Sequence, residues 1–217
     1  VAPTSLAAAN KAATAALKVS NVAAGALATL AKDNVVNQIM ITEDGGIPPL
    51  VELLKDRTSS HKADSYEHPT KALWHLAAFE DNQSAIAKAG GISPLVALLS
   101  SDSEVTQQYA AAAVQSLARD HTDNQVTLAK AGAIAPLVDL LGSDTVETQE
   151  HSVGALLHLA SHDVGSRKEV VQRLVAVLDM RNAAAQMKAA GLSAHSAAQM
   201  GLTMAQLRGM GGEDGGG

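Results

Sequence analysis

Apolar residues in this chain recur at helical intervals rather than in the alternation of a strand. Leu17, Val22, Ala26, Leu27 and Leu30 keep such a rhythm near the start. Further on, Ile92, Leu95, Val96, Leu98 and Leu99 cover so wide a face that their helix must pack on both sides. The block then returns. Gly45-Gly46-Ile47-Pro48-Pro49-Leu50-Val51-Glu52-Leu53-Leu54 aligns with Gly90-Gly91-Ile92-Ser93-Pro94-Leu95-Val96-Ala97-Leu98-Leu99 and with Gly132-Ala133-Ile134-Ala135-Pro136-Leu137-Val138-Asp139-Leu140-Leu141. Ile47 lies 45 positions before Ile92, and Ile92 lies 42 before Ile134. A period in the low forties predicts an all-α solenoid with two or three helices per unit.

Each unit reads alike. A short first helix opens near Asp81-Asn82 or Asp123-Asn124, with Asn37 at the equivalent place, and these residues are expected to act as N-caps. It ends at Gly90 or Gly132, where a left-handed C′ residue is needed. A second helix follows with Pro94 or Pro136 in its first turn, where a missing N–H costs nothing. Ser101-Asp102-Ser103-Glu104 has capping-box spacing, and Ser143 to Glu147 is a looser form of it. The third helix carries Ala110 to Ala118, matched by Ala26 to Ala31, Ala72 to Ala77 and Ala155 to Ala160. The Ala columns predict where neighbouring repeats press together.

The expected organisation is a repeat domain over 1–205, with an eroded first repeat over 1–34 and repeats over about 35–80, 81–122 and 123–165. A degenerate capping repeat spans 166–205, where Leu174 to Leu178 match Leu137 to Leu141 at a shift of 37 and Leu192 matches Leu156 at 36. That unit is expected to have lost most of its first helix. Residues 206–217 are Gly-rich, too poor in apolar surface to order themselves, and read as a flexible tail.

Composition narrows the function. Aromatics make up 2% of a chain that is 47% hydrophobic, so Ala, Leu, Val and Ile must fill the core. The absence of Cys excludes disulfides, thiolate zinc sites and a Cys nucleophile. A net charge of −6 argues against a nucleic-acid partner. No apolar run is long enough to span a bilayer. The chain starts at Val1 rather than Met, which predicts a processed product or a fragment. Residues 1–32 hold Lys11, Lys18 and Lys32 and no acid, faintly like a targeting segment, although an Ala-rich first helix pair accounts for them. An intracellular location is expected, cytoplasmic or in an organelle.

The Gly45-to-Leu54 block and Ala72-Leu73-Trp74-His75-Leu76-Ala77 resemble the armadillo repeat family, over roughly residues 20 to 200, in three good copies and two eroded ones. The resemblance implies a right-handed superhelix of three-helix units. Its third helices would line a concave groove that binds extended peptides or partner domains. Family members include nuclear-import adaptors, junctional and signalling scaffolds, and assembly factors. Peptide-binding members carry an Asn in each third helix, and here that column reads Thr29, His75, Ser116 and His158. One turn earlier, where import adaptors often place Trp, stand Gly25, Lys71, Ala112 and Gly154. A basic localisation peptide is therefore not the expected ligand, and the groove is expected to be small-residue and neutral.

The expected protein-binding residues are Thr29, Lys71, His75, Ala112, Ser116, Gly154 and His158. Leu54 to Ala72 spans 18 positions where the other copies span 14, and this inserted loop, with His61, Lys62, Asp64, Tyr66, Glu67 and His68, offers Tyr66 and His68 as loop contacts. Trp74 reads as inter-repeat packing. His151, His158 and His162 beside Asp163 read as surface histidines rather than metal ligands. Met180, Met187, Met200, Met204 and Met210 make the C-terminal end a second candidate interface. No Gly-Lys-Ser/Thr follows the Gly pairs, and no strand–turn–helix holds a nucleophile, so no catalytic residue, cofactor or metal is expected. The expected function is a non-catalytic scaffold or adaptor for a protein partner. The alternatives are a peripheral structural subunit or assembly factor of a larger complex, held by its ends and tail, and a regulatory fragment of a longer enzyme or ligase.

Overall fold

The computed structural model describes residues 20–55 and 66–189, and every regular element among them is a helix. The chain divides into two compact units, Val1–Lys168 and Glu169–Gly217. In the first, α1 covers 20–31. It is followed by α2 (Val35–Glu43), α3 (Ile47–Lys55), α4 (Glu67–Leu76), α5 (Glu80–Lys88), α6 (Ile92–Leu98), α7 (Glu104–Ala118), α8 (Thr122–Lys130), α9 (Ile134–Asp139) and α10 (Val146–His162). These are three-helix units, α2–α3–α4, α5–α6–α7 and α8–α9–α10, preceded among the described residues by α1 in the place of a third helix. Second helices pack on the third helix of their own unit, and the third helices α4, α7 and α10 pack side by side. The final helix α11 (Val164–Ala189) begins in the first unit and forms the described part of the second. The Gly-rich tail, Met200, Met204 and Met210 lie outside the described residues.

The glycine and proline signals do what their chemistry requires. Gly45, Gly90 and Gly132 close the first helices at φ +74, +80 and +82, a left-handed conformation that suits a residue without Cβ. The following N–H groups of Gly46, Gly91 and Ala133 reach back to Ile41 O, Ile86 O and Leu128 O, completing a Schellman-type end. The apolar blocks are buried as the pattern demands: Leu50, Val51 and Leu54, then Leu95 and Leu99, then Leu137 and Val138. Each such side chain removed from water stabilises by roughly 1.5–3 kcal/mol. Ala110, Ala111, Ala112 and Ala113 are all fully buried, so α7 meets its neighbours at close range through methyl groups.

The helix starts differ from the expectation. Asn82 and Asn124 are not N-caps; they lie inside α5 and α8 with their side chains buried. The caps stand earlier. Asn34 accepts from Asn37 N at 3.0 Å, and His121 Nδ1 accepts from Asn124 N at 3.3 Å. Asn82 and Asn124 instead point backwards. Asn124 Nδ2 donates to Leu117 O at 3.0 Å, and Gln125 Nε2 donates to Ala118 O at 2.8 Å. Asn82 and Gln83 donate to Leu76 O and Ala77 O in the same way, and Asn37 and Gln38 to Leu30 O and Ala31 O. An Asn-Gln pair at each first helix thus satisfies two carbonyls left open at the end of the preceding third helix. A second glutamine device stands on the other side of the unit: Gln107 donates to Ser101 O and Gln149 to Ser143 O.

Two further expectations change. Ser101 is not the cap of a Ser101–Glu104 box; Ser103 caps α7 by accepting from Thr106 N at 3.3 Å. Within the expected capping repeat, α11 runs unbroken for 26 residues where a shortened first helix and a separate second helix are expected, and residues 190–205, with Leu192, lie outside the described residues. Between Gly165 and Gly191 there is neither Gly nor Pro, so nothing stops the helix where every other unit turns.

The carbonyl-capping pair generates a stability prediction. Asn124→Ala leaves Leu117 O unpaired in a buried site, which should cost about 1–3 kcal/mol. Asn37→Ala, at a half-exposed site, should cost less than half of that. Urea denaturation followed by circular dichroism measures both; equal and negligible losses would remove the pair's structural role.

Candidate functional site

Third helices carry the candidate surface, and four columns of side chains define it. One contains Thr29, His75, Ser116 and His158. One turn back stand Gly25, Lys71, Ala112 and Gly154; two turns back stand Val22, His68, Tyr109 and His151; and Ala28, Trp74, Gln115 and Leu157 run beside the first. Thr29 is exposed, and its hydroxyl donates to Gly25 O at 3.0 Å. His158 and Lys71 are half-buried. His75, Ser116 and Ala112 retain 7%, 5% and 0% of their surface, so these three expected groove residues serve the packing between repeats rather than an open face.

Gly154 is covered from within. A Cβ there would lie 1.9 Å from Gln115 Nε2, so the missing side chain is the seat of the Gln115 amide. Gln115 Oε1 pairs with His151 Nδ1 at 2.8 Å. A carboxamide oxygen only accepts, so His151 carries its proton on Nδ1. Gly25 is used alike: the His68 ring stands 3.3 Å from where its Cβ would be. His68 is therefore a first-turn residue of α4 packed against α1, not part of the inserted loop. Tyr66 is the residue before α4, half-buried, and its carbonyl accepts from Thr70 Oγ1. His61, Lys62 and Asp64 lie outside the described residues.

Sequence reasoning missed the centre of the surface. Trp74, half-buried, stacks on His75 at 4.4 Å between ring centroids and on Tyr109 at 5.6 Å, and it meets His151 edge-on at 5.7 Å. Lys71 Nζ lies 5.2 Å from the centroid of Tyr109. Side chains of α4, α7 and α10 thus form one aromatic–imidazole–amide cluster. Trp74 on α4 reaches His151 on α10 across α7. The signal was available: His68, Tyr109 and His151 each stand seven residues before a member of the His75 column.

Desolvation disfavours the charged form of both His75 and His151. Burial pushes the His75 pKa below 6.5, with the Lys71 ammonium adding to it and Lys32 a little more, against an opposing pull from Asp33. Burial also lowers His151, against Glu150 and Glu147. His75 Nε2 is buried and lacks a hydrogen-bond partner. Among the described residues no three His, Asp or Glu side chains gather closely enough for a metal, and no helix is long and apolar enough to cross a membrane.

Both depressed pKa values carry the same sign. The unfolded chain takes up protons at these histidines before the folded one does, so stability is held above pH 6.5 and falls as the pH drops through and below it. The urea midpoint should be flat at mildly alkaline pH and decline toward pH 5. His151→Gln, which can keep an amide contact to Gln115, should flatten that decline; an unchanged acid slope would show that His151 does not couple to folding.

Comparison with known proteins places this geometry. The armadillo/beta-catenin-like repeat family matches residues 79–119 and 121–161. U-box domain-containing protein 12 of Arabidopsis thaliana is 34% identical over 97 residues, which is 44% of this chain and 14% of that protein. The chain therefore spans only a small part of that relative. Among solved structures, a designed armadillo repeat protein in complex with the peptide (KR)4 aligns with a TM-score of 0.62 at 27% identity, over 70% of this chain and 62% of the other. Computationally designed armadillo repeat proteins for modular peptide recognition align with a TM-score of 0.65 at 26% identity, over 77% and 69%. An engineered protein aligns with a TM-score of 0.64 at 30% identity, over 72% and 64%. With its three-helix units, glycine-closed first helices and side-by-side third helices, the chain has the fold of an armadillo repeat solenoid, and two of its units match the armadillo repeat family.

Proposed function

We propose that this chain is a non-catalytic scaffold or adaptor that binds a partner protein across its third helices, with Trp74 at the centre of the contact. The observation that carries this is the half-buried Trp74, braced by Tyr109, His75 and His151. Tryptophan and tyrosine dominate binding hot spots because they bring large rigid area with few rotors to freeze. Thr29, Lys71 and His158 add polar groups with free surface around it. Gly154 contributes indirectly by seating Gln115. A protein partner fits this surface better than nucleic acid, since the chain carries a net charge of −6. Nothing in the cluster pairs a nucleophile with a base, which fits a binding role. The U-box relative supports the idea of such repeats working within a longer polypeptide, as 14% of its length is matched.

One observation favours the second reading, a subunit of a larger complex held by its ends. Val35, Val36 and Met40 on α2 are 53%, 65% and 54% exposed. The equivalent positions are Glu80, Asp81 and Ala85 on α5, and Thr122, Asp123 and Thr127 on α8. The first repeat therefore presents an apolar patch where the others present mostly polar groups.

A capture experiment separates the two. The whole chain is used as bait in extract of its source cells, beside a Trp74→Ala/His158→Glu variant and a Val36→Asp/Met40→Asp variant. The groove reading expects the first variant to lose its partners by about tenfold or more, a loss of at least roughly 1.4 kcal/mol. The second variant should keep them, and both should keep the helical circular dichroism signal. Loss confined to the α2 variant would move the interface to the end of the repeats.

A further inference from the structure

Across the four columns that define the third-helix surface, on α1, α4, α7 and α10, Lys71 is the only Asp, Glu, Lys or Arg. Its ammonium has a carboxylate at helical spacing, Glu67, four residues earlier, where an ion pair would ordinarily form. It does not use it. The ion pairs among the described residues are Lys55–Glu52 and Arg173–Glu169. Lys71 lies instead over the Tyr109 ring, half-buried, next to the Trp74 indole that stacks on the same ring.

No ion pair among the described residues engages this charge. Burial disfavours the charged form of the histidines beside it, and the Lys71 charge is itself felt at His75. The remaining charges near the cluster are Lys32 and Asp33, which act on His75, and Glu147 and Glu150, which act on His151. The chain's net charge of −6 opposes an acidic partner at a distance. At physiological salt that field is screened beyond about 8 Å, whereas a contact at a half-buried ammonium is screened much less. A basic peptide, such as the (KR)4 in the designed relative's complex, would bring like charge against Lys71.

We propose that the occupant of this surface is an extended acidic segment of a protein, one carboxylate of which pairs with Lys71 while a neighbouring apolar side chain lies against Trp74. This rests on the third-helix surface being the binding face. The carboxylate meets an ammonium already held in place by Tyr109, so little side-chain freedom is lost in forming the pair.

Trp74 is the single tryptophan of the chain, so its emission reports on this surface alone. Two labelled peptides, (EL)4 and (KL)4, differ only in the sign of their charge. Each is titrated into the whole chain at low and at physiological salt, following label anisotropy and Trp74 emission. The expectation is that (EL)4 binds at least about tenfold more tightly than (KL)4, with a change in Trp74 emission and weakening as salt rises. Lys71→Gln should abolish the preference, Lys71→Arg should retain it and Lys71→Glu should invert it. Equal affinities with a Trp74 response would overturn the acidic preference and leave the surface as the binding face. A preference for (KL)4, or one that survives Lys71→Gln, overturns the proposal in the same way. If neither peptide binds, the proposal fails, and the capture experiment with the Trp74→Ala/His158→Glu variant decides the surface independently.

Discussion

A helix that ends against another helix leaves carbonyl oxygens without partners, and in a stack of short helices those ends are buried. This is the constraint on which the rest of the molecule depends. Here it is met by the same two side chains each time. Asn37-Gln38, Asn82-Gln83 and Asn124-Gln125 reach back to the carbonyls of the preceding third helix. After α10 the task falls to Arg167, whose Nε donates to Ala160 O at 3.1 Å. Asn82 also donates to Gln38 O at 3.3 Å, so one amide ties successive first helices together. Such bonds fix the angle at which each unit leaves the last, and a first helix lacking them would leave two acceptors dry in the core.

With that angle fixed, the third helices can approach through alanine. Ala72, Ala113 and Ala155 are fully buried, as are Ala111 and Ala112. Small residues bring the backbones close, and closeness lets long side chains on one helix touch those of another. This is how Trp74 reaches His151, and how Gln115 occupies the space over Gly154. The surface is therefore a consequence of the packing beneath it. Gln115 is paired with His151 and Lys71 lies over Tyr109, so a partner would meet a preorganised platform rather than a set of mobile side chains.

Much of this was legible in the sequence. The repeat showed in the spacing of Ile47, Ile92 and Ile134, and the helix breaks showed in Gly90, Gly132, Pro94 and Pro136, because backbone conformation restricts those positions to few residue types. Asn82 and Asn124 were misread for an equally physical reason. An amide near a helix start has two uses, capping its own helix or serving the previous one, and local sequence does not distinguish them. Depth was the harder quantity. His75 and His158 share a column, yet one is buried and the other half-buried, because His75 is overlaid by Trp74 and His158 has Leu157, 66% exposed, in the place of the indole. The long α11 was misread because the Leu174-to-Leu178 match carries the pattern of a second helix without the Gly and Pro that delimit one.

The same logic accounts for the character of the surface. A solenoid with few aromatics would ordinarily offer a partner little contact area, since alanine faces contribute shape and no reach. This chain concentrates Trp74 and Tyr109, two of its three Trp and Tyr residues, on neighbouring helices and sets two histidines of lowered pKa beside them. Burial disfavours the charged form of those imidazoles, and Lys71 is the one Asp, Glu, Lys or Arg in the four columns of the third-helix surface. A charge held among rings and engaged by no ion pair among the described residues is suited to discriminate by sign at small cost in stability, because the ammonium keeps part of its surface in water and part over Tyr109. The placement of Lys71 over Tyr109 follows in turn from the close packing that the Asn-Gln pairs make possible.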